Sequence, residues 1–509
     1  KYNRDFNGKE NLIAGEANSV RNSSSSLIQG VSHVVLDGSN NVSFGENNQL
    51  TRNKGSMSFG RKNILTDVSN AVVLGSHNNI LNNTTGGLTS GYLNNVNNGL
   101  RNTTLGETND IDNGVNNLTS GQTNTVKDGS NNLLSGYNNN IENNVNSIVS
   151  GKSNDVSGNN QVAVIGESND VSGNTNNSIV SGKVNKEFKG NENAIFGNAN
   201  DVSNSNLNLV SGSSNTLLNN NKGVVGGSGN YATNNNNTVS NGLSNNVRHN
   251  NQLITSGKST DICGNENTFV IGDTITQHNG KNNAILGKNQ QSLSNENSII
   301  TGMQHYVKSS NNVLITGDTH DIREDTNTFL TGDTHQTFRT NQTSLFGKDN
   351  SANKTNNSLV SGLTNRDWDG SNNMVIGNLE DVSGALNTLT SGLSNNVRNE
   401  KNTFTTGESN IVKDGSNNIV SGYNNTSNQN RNSFLLGNEN NNQSMLSSGV
   451  LGEKNTTIST TNSIIVGKEN NDNLSKNSVS IGLKNASVRP ISSIVGGEEN
   501  SVTDVSNTI

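Results

Sequence analysis

His305, His320 and His335 recur every 15 residues near the middle of the chain, and His33 takes the same place in an earlier repeat. Asp318 and Asp333 stand two residues ahead of the second and third rings, in the tetrad Gly-Asp-Thr-His. Imidazoles and carboxylates stacked at strand spacing have the chemistry to hold a divalent metal or to respond to acid pH. The plainer expectation is that His replaces the Asn usual at this place, because a column of rings without tetrahedral closure is a poor metal signature. Stacked rings repel one another when protonated, so the column is expected to titrate low.

Trp368, the single tryptophan, lies in Asn365-Arg366-Asp367-Trp368-Asp369-Gly370. Exposed and flanked by charge, it would be a receptor contact. It also belongs to a set, with Phe188, Leu293, Phe338, Ile458 and Val488, in which the apolar residue falls one place later than in most repeats. A one-residue bulge that re-aims these side chains to fill the interior is the expected reason. No nucleophile, base and orienting acid recur together, and a regular repeat surface offers no cleft, so no enzyme activity and no cofactor are expected. The single cysteine, Cys263, excludes an intramolecular disulfide framework and a Cys-rich zinc site.

The elements that carry these residues must be built from an unusual composition. Of 509 residues only 28% are hydrophobic and 4% aromatic, too few for an ordinary globular core of this length. Charged residues are 15% and Pro490 is the only proline, so the usual composition of a disordered chain does not fit either. A net charge of −7 spread over the whole length suggests neither nucleic acid nor an anionic membrane as partner. No apolar run is long enough for a membrane span.

Self-similarity resolves the contradiction. Glycines recur every 15 residues from Gly15 to Gly75, from Gly91 to Gly166 and from Gly182 to Gly497, with one extra residue at each break. With this marker glycine as position 0, Asn dominates position 3 (Asn154, Asn169, Asn395, Asn410), and apolar residues dominate position 5 (Val156, Val171, Val397, Val412) and position 12 (Ile148, Phe269, Phe404, Ile464). A second glycine often falls at position 7 or 8, as at Gly129, Gly158 and Gly370. Gly, Asn and β-branched residues in every unit disfavour a helix. The pattern predicts an all-β parallel β-solenoid, a β-roll of two short strands per 15-residue turn and about 33 turns, one continuous domain over 1–509. One apolar side chain per strand fills a thin lumen, and stacked Asn side chains form hydrogen-bonded ladders at the corners.

At Asn477-Ser478-Val479-Ser480-Ile481-Gly482, Asn373-Met374-Val375-Ile376-Gly377 and Asn432-Ser433-Phe434-Leu435-Leu436-Gly437 the repeat resembles the N-S-V-A-I-G motif of the YadA-type heads of trimeric autotransporter adhesins. That resemblance implies a left-handed roll with three chains side by side at a cell surface. The small residues the family places after this motif are Asn485-Ala486-Ser487 in one repeat but more often bulkier, as in Asn169-Asp170-Val171. Ser416-Asn417-Asn418-Ile419-Val420-Ser421-Gly422 is equally similar to the ryegrass-type ice-recrystallisation inhibition repeat, another left-handed roll.

Position 13 separates the two. As the neighbour of position 12 it is expected to face solvent, yet it is Val, Ile or Leu at Val149, Val164, Val180, Ile285, Ile300, Ile315, Leu330, Val360, Val375 and Val420. An exposed stripe of that length needs a partner, so these residues are expected to form an interface between copies of the chain. An ice face needs flat ranks of Thr, and only Thr388, Thr390, Thr403 and Thr405 supply one locally. The resulting expectation is a structural or adhesive fibre segment, extracellular or at a cell surface, whose partner is itself, as a homotrimer or filament, together with a surface receptor. Ice binding is the alternative, and a viral or phage fibre a third. Because Asn11-Leu12-Ile13-Ala14-Gly15 and Asn500-Ser501-Val502 keep the pattern, the residues are expected to be a piece of a longer array or to stack end to end.

Overall fold

The computed structural model describes residues 2–507 except 265, 290, 295, 310, 322, 325, 338 and 340; for 262, 268, 270, 272, 275, 277, 285, 292, 300, 305, 307, 320 and 337 it describes the strand backbone alone. The chain divides into two compact units, Lys1–Lys258 and Ser259–Ile509. Both are built from the same turn of a parallel β-solenoid, about 32 turns in all, without a helix among the described residues.

One turn shows why the sequence folds this way. A five-residue strand, Leu118–Gln122, runs from position 12 through the marker Gly121 to position 1, and a three-residue strand, Thr125–Lys127, covers positions 4 to 6. Each pairs in parallel with the same positions one repeat on, Leu118 with Leu133 and Thr125 with Asn140. Between strands the backbone turns on left-handed residues at positions 2, 7 and 10, here Thr123, Asp128 and Asn131 with φ of 58°, 50° and 58°. Short Asn and Asp side chains tolerate that conformation best among residues with a Cβ, which accounts for much of the Asn excess. The extra residues that shift the glycine series are absorbed at the position-7 corner, where Asn82 and Asn83, and Gly173 and Asn174, form consecutive pairs with positive φ.

The marker glycine is required twice over. At Gly151 φ is 124°, and an added Cβ would sit 1.9 Å from the Gly166 carbonyl oxygen of the next turn. No side chain fits that approach at any rotamer.

Inside each turn lie positions 3, 5, 8, 11 and 13. Val156 at position 5 and Val164 at position 13 are both fully buried, as are Val171 and Val180 one turn on. With only about two apolar side chains per turn, polar ladders carry the rest of the interior. The Asn154 backbone N–H and Nδ2 both donate to Asn139 Oδ1, at 3.1 and 2.9 Å. The same Nδ2 also reaches the Gly166 carbonyl at 2.9 Å, and Asn169 repeats the pattern on Asn154. Both polar side-chain atoms of Asn154 are thereby satisfied, each bond adding about 1 kcal/mol net. A second ladder runs at position 11, where the Asn132 N–H donates to Asn117 Oδ1 at 2.9 Å.

The sense of the five-residue strand is opposite to the expectation. Position 11 turns inward to join its ladder, so strand alternation sends position 12 out and position 13 in. Ile148 is 45% exposed whereas Val149 is wholly buried.

Candidate functional site

The inversion relocates the surface that matters. Val149, Val164, Val180, Ile315, Leu330, Val360, Val375 and Val420, expected at an interface, line the lumen at 0–1% exposure. They are core residues, covered by their own chain; the side chains of Ile285 and Ile300 lie outside the described residues. Thr388, Thr390, Thr403 and Thr405 are likewise buried, so the rank proposed for ice faces inward.

The outward file is position 12. Leu118, Leu133, Ile148, Ile179, Leu209, Val224 and Ile254 are exposed in the first unit, and Ile299, Met374, Phe404, Ile419, Ile464 and Ile494 in the second. Met374, Leu389, Phe404 and Ile419 line an open groove of about 620 Å³. Its edge is an exposed ladder at position 10, in which Asn372 donates to Asn387, Asn387 to Asn402 and Asn402 to Asn417, each at 3.0 Å. The strip therefore pairs an apolar row with a rigid row of amides whose remaining capacity points to solvent.

The histidines at position 3 act as asparagine surrogates where their side chains are described. His33 donates its backbone N–H to Asn18 Oδ1 at 2.9 Å, as an Asn would. Its Nε2 lies 3.0 Å from the Gly45 carbonyl, which can only accept, so Nε2 carries the proton and Nδ1 accepts from the Ser43 hydroxyl at 3.0 Å. His335 is fully buried with Nε2 3.1 Å from the Thr331 carbonyl. Burial holds both imidazoles neutral, below the ordinary histidine range, against hydrogen bonds that pull the other way. The backbones of His305, His320 and His335 stack in register, but the side chains of His305 and His320 lie outside the described residues. Asp318 and Asp333 are exposed while His335 faces inward, and no group of three or more metal-binding side chains occurs among the described residues.

At Phe188, Trp368, Ile458 and Val488, the members of the shifted set whose pairing is described, the strands hold register without a bulge. Val171, Glu187 and Val202 pair in unbroken register, which keeps Glu187 in the lumen and leaves Phe188 outside at 44% exposure. Asp367 is buried by the same rule and Trp368 is 47% exposed; Ile458 is also exposed, and Phe338 lies outside the described residues. The expected lumen plug is thus overturned at Phe188, Trp368 and Ile458: with the strands in register, alternation sends these side chains outward and their polar neighbours inward. Cys263 is a half-buried free thiol.

Sequence reasoning missed the acids that this register buries. Glu187 accepts from Ser178 Oγ and Asn193 Nδ2, both at 2.8 Å, and burial pushes its pKa to about 7. Glu380 replaces the ladder Asn, accepting the Asn395 N–H and Nδ2 at 3.1 Å, and Glu400 accepts from Thr403 and Asn418; burial raises each to about 7. Asp367 and Asp472 are raised for the same first cause. The signal was an acid at a position otherwise held by Val or Asn.

Neither a protein-family model nor a curated protein matches the chain. No helix among the described residues is long and apolar enough to cross a membrane.

Proposed function

We propose that the chain is a structural and adhesive element of an extracellular or cell-surface fibre, a repeat scaffold that packs side by side with copies of itself and presents a repetitive surface for attachment. One observation carries this reading. The outward position 12 is apolar in 30 of 33 repeats, whereas the inward position 13 is Val, Ile or Leu in only 23 of 33. A lumen that accepts Ser and Thr imposes weaker apolar selection than the outer face does, and solvent imposes none. The outer face therefore answers to a partner.

That partner is a second copy of the chain. A five-residue strand of about 16 Å repeated every ~4.8 Å offers roughly 80 Å² per turn, so about ten turns supply the ~800 Å² per partner of a stable interface. A side-by-side, in-register arrangement of three copies, as in the adhesin heads the motif resembles, covers the file on every chain. Light scattering on the purified protein tests this. About three chains per particle are expected, and Leu389, Phe404 and Ile419 changed together to Asp should weaken the assembly, so that it dissociates at a higher concentration than the wild type with unchanged circular dichroism, because all three lie outside the lumen. A wild-type protein that is monomeric at every concentration contradicts the reading.

A further inference from the structure

The second unit carries a cleft of about 210 Å³ beside the exposed indole of Trp368, lined by residues at positions 4 to 6 of successive turns. Asp321, Arg323, Gln336, Ser351 and Asn353 line it with the indole. Register fixes them: Gln336 pairs with Ser351, and Asn353 with Trp368. Arg323 grips the Asp321 carboxylate in a fork, Nε to Oδ1 at 3.3 Å and Nη2 to Oδ2 at 3.1 Å, so the two charges cancel within the cleft. Asn353 Oδ1 is a buried acceptor with no hydrogen-bond donor among the described residues.

The combination is specific. The face of an aromatic ring carries negative charge density and attracts polarised C–H groups. Beside it stand hydroxyl and amide side chains that both donate and accept. A cation would need an uncompensated carboxylate and an anion an uncompensated guanidinium, and the Asp321–Arg323 pair withholds both. The volume is below the ~300–1,000 Å³ of pockets for drug-sized ligands, so the cleft takes one ring. We propose that the Trp368 cleft binds a single neutral hexopyranose unit, the indole stacking on the C–H face of the ring while Gln336, Ser351 and Asn353 hydrogen-bond its hydroxyls. As a receptor contact this rests on the attachment reading above, and repetition of the chain within an assembly would multiply a weak single-site affinity.

Because Trp368 is the only tryptophan, its emission reports this cleft alone. The full chain is titrated with the methyl glycosides of glucose, galactose and mannose and with N-acetylglucosamine, each to about 100 mM, since a ligand of this size binds in the millimolar range. At least one is expected to change the emission saturably. Changing Gln336 and Asn353 together to Ala, with the free-protein spectrum retained, should weaken binding about tenfold or more, the loss of one or two hydrogen bonds. Saturation-transfer NMR should find binding weakened in Trp368→Phe and absent in Trp368→Ala. Silence of all four sugars by both methods overturns the proposal, as does a saturable response to choline alone or sugar binding that survives Trp368→Ala. Light scattering on the same samples separates the two readings: absent sugar binding in an assembled protein refutes only this site, and sugar binding by a strict monomer refutes only the self-packing scaffold.

Discussion

Glu187 sits in the lumen at 1% exposure between Val171 and Val202, neutral residues of the turns on either side. Burial is the first cause of its elevation from 4.5 to about 7, opposed by the hydrogen bonds from Asn193 and Ser178. A rise of about 2.5 corresponds to about 3 kcal/mol between protonation states. Since the folded pKa lies above the unfolded one, the sign is fixed: stability is full below about pH 4.5, where both states hold the proton, falls between about pH 4.5 and 7 as only the unfolded chain releases it, and is flat above. A repeat array opens locally, so the assay is amide hydrogen exchange over the strands at 186–188 and the neighbouring 170–172 and 201–203, corrected for intrinsic exchange. From about pH 4.5 to about pH 8 the local opening constant should rise about two orders of magnitude. Glu187→Gln keeps the shape and the acceptor but has no proton to lose, so its profile should be flat. A wild-type profile without slope, or a slope that persists in Glu187→Gln, refutes the reasoning.

Other consequences follow from the same register. Thr405 Oγ1 is buried without a hydrogen-bond partner among the described residues, so Thr405→Val should slow local opening by an amount equivalent to about 1–2 kcal/mol, the cost of an unsatisfied hydroxyl; a loss of stability would place the residue outside the lumen. Gly151→Ala meets both the 1.9 Å approach to the Gly166 carbonyl and a φ of 124°, so limited proteolysis should cut at the adjoining turns, a loss of about 3 kcal/mol or more; undiminished resistance would contradict the stacking.

The repeat, its parallel sheet and the Asn ladder were legible because glycine and Asn spacing encode local backbone and corner chemistry directly. The phase of the five-residue strand was not. Positions 12 and 13 are both apolar, and hydrophobic burial by itself places the more strictly apolar of the two in the core. The deciding residue is the buried polar one at position 11, Asn117 or Asn132, whose inward turn sets the alternation and whose type argued for the surface. The same bias hides Glu187 and Asp367 behind their apolar neighbours Phe188 and Trp368, although the strands hold register at the expense of the better hydrophobe. The Trp368 cleft was legible only as a residue, since its partners come from three other repeats.

In the proposed fibre the outward apolar file joins copies of the chain in register. Spin labels placed singly at Ile419, on that file, and at Lys413, on the outer face of the three-residue strand, measure it by dipolar spectroscopy between chains. Facing sheets pack about 10 Å apart, so labels at 419 should give short interchain distances that vanish when labelled chains are assembled with excess unlabelled protein, and labels at 413 should lie well beyond them. Interchain distances shorter at 413 than at 419, or no interchain signal at 419, would contradict the account.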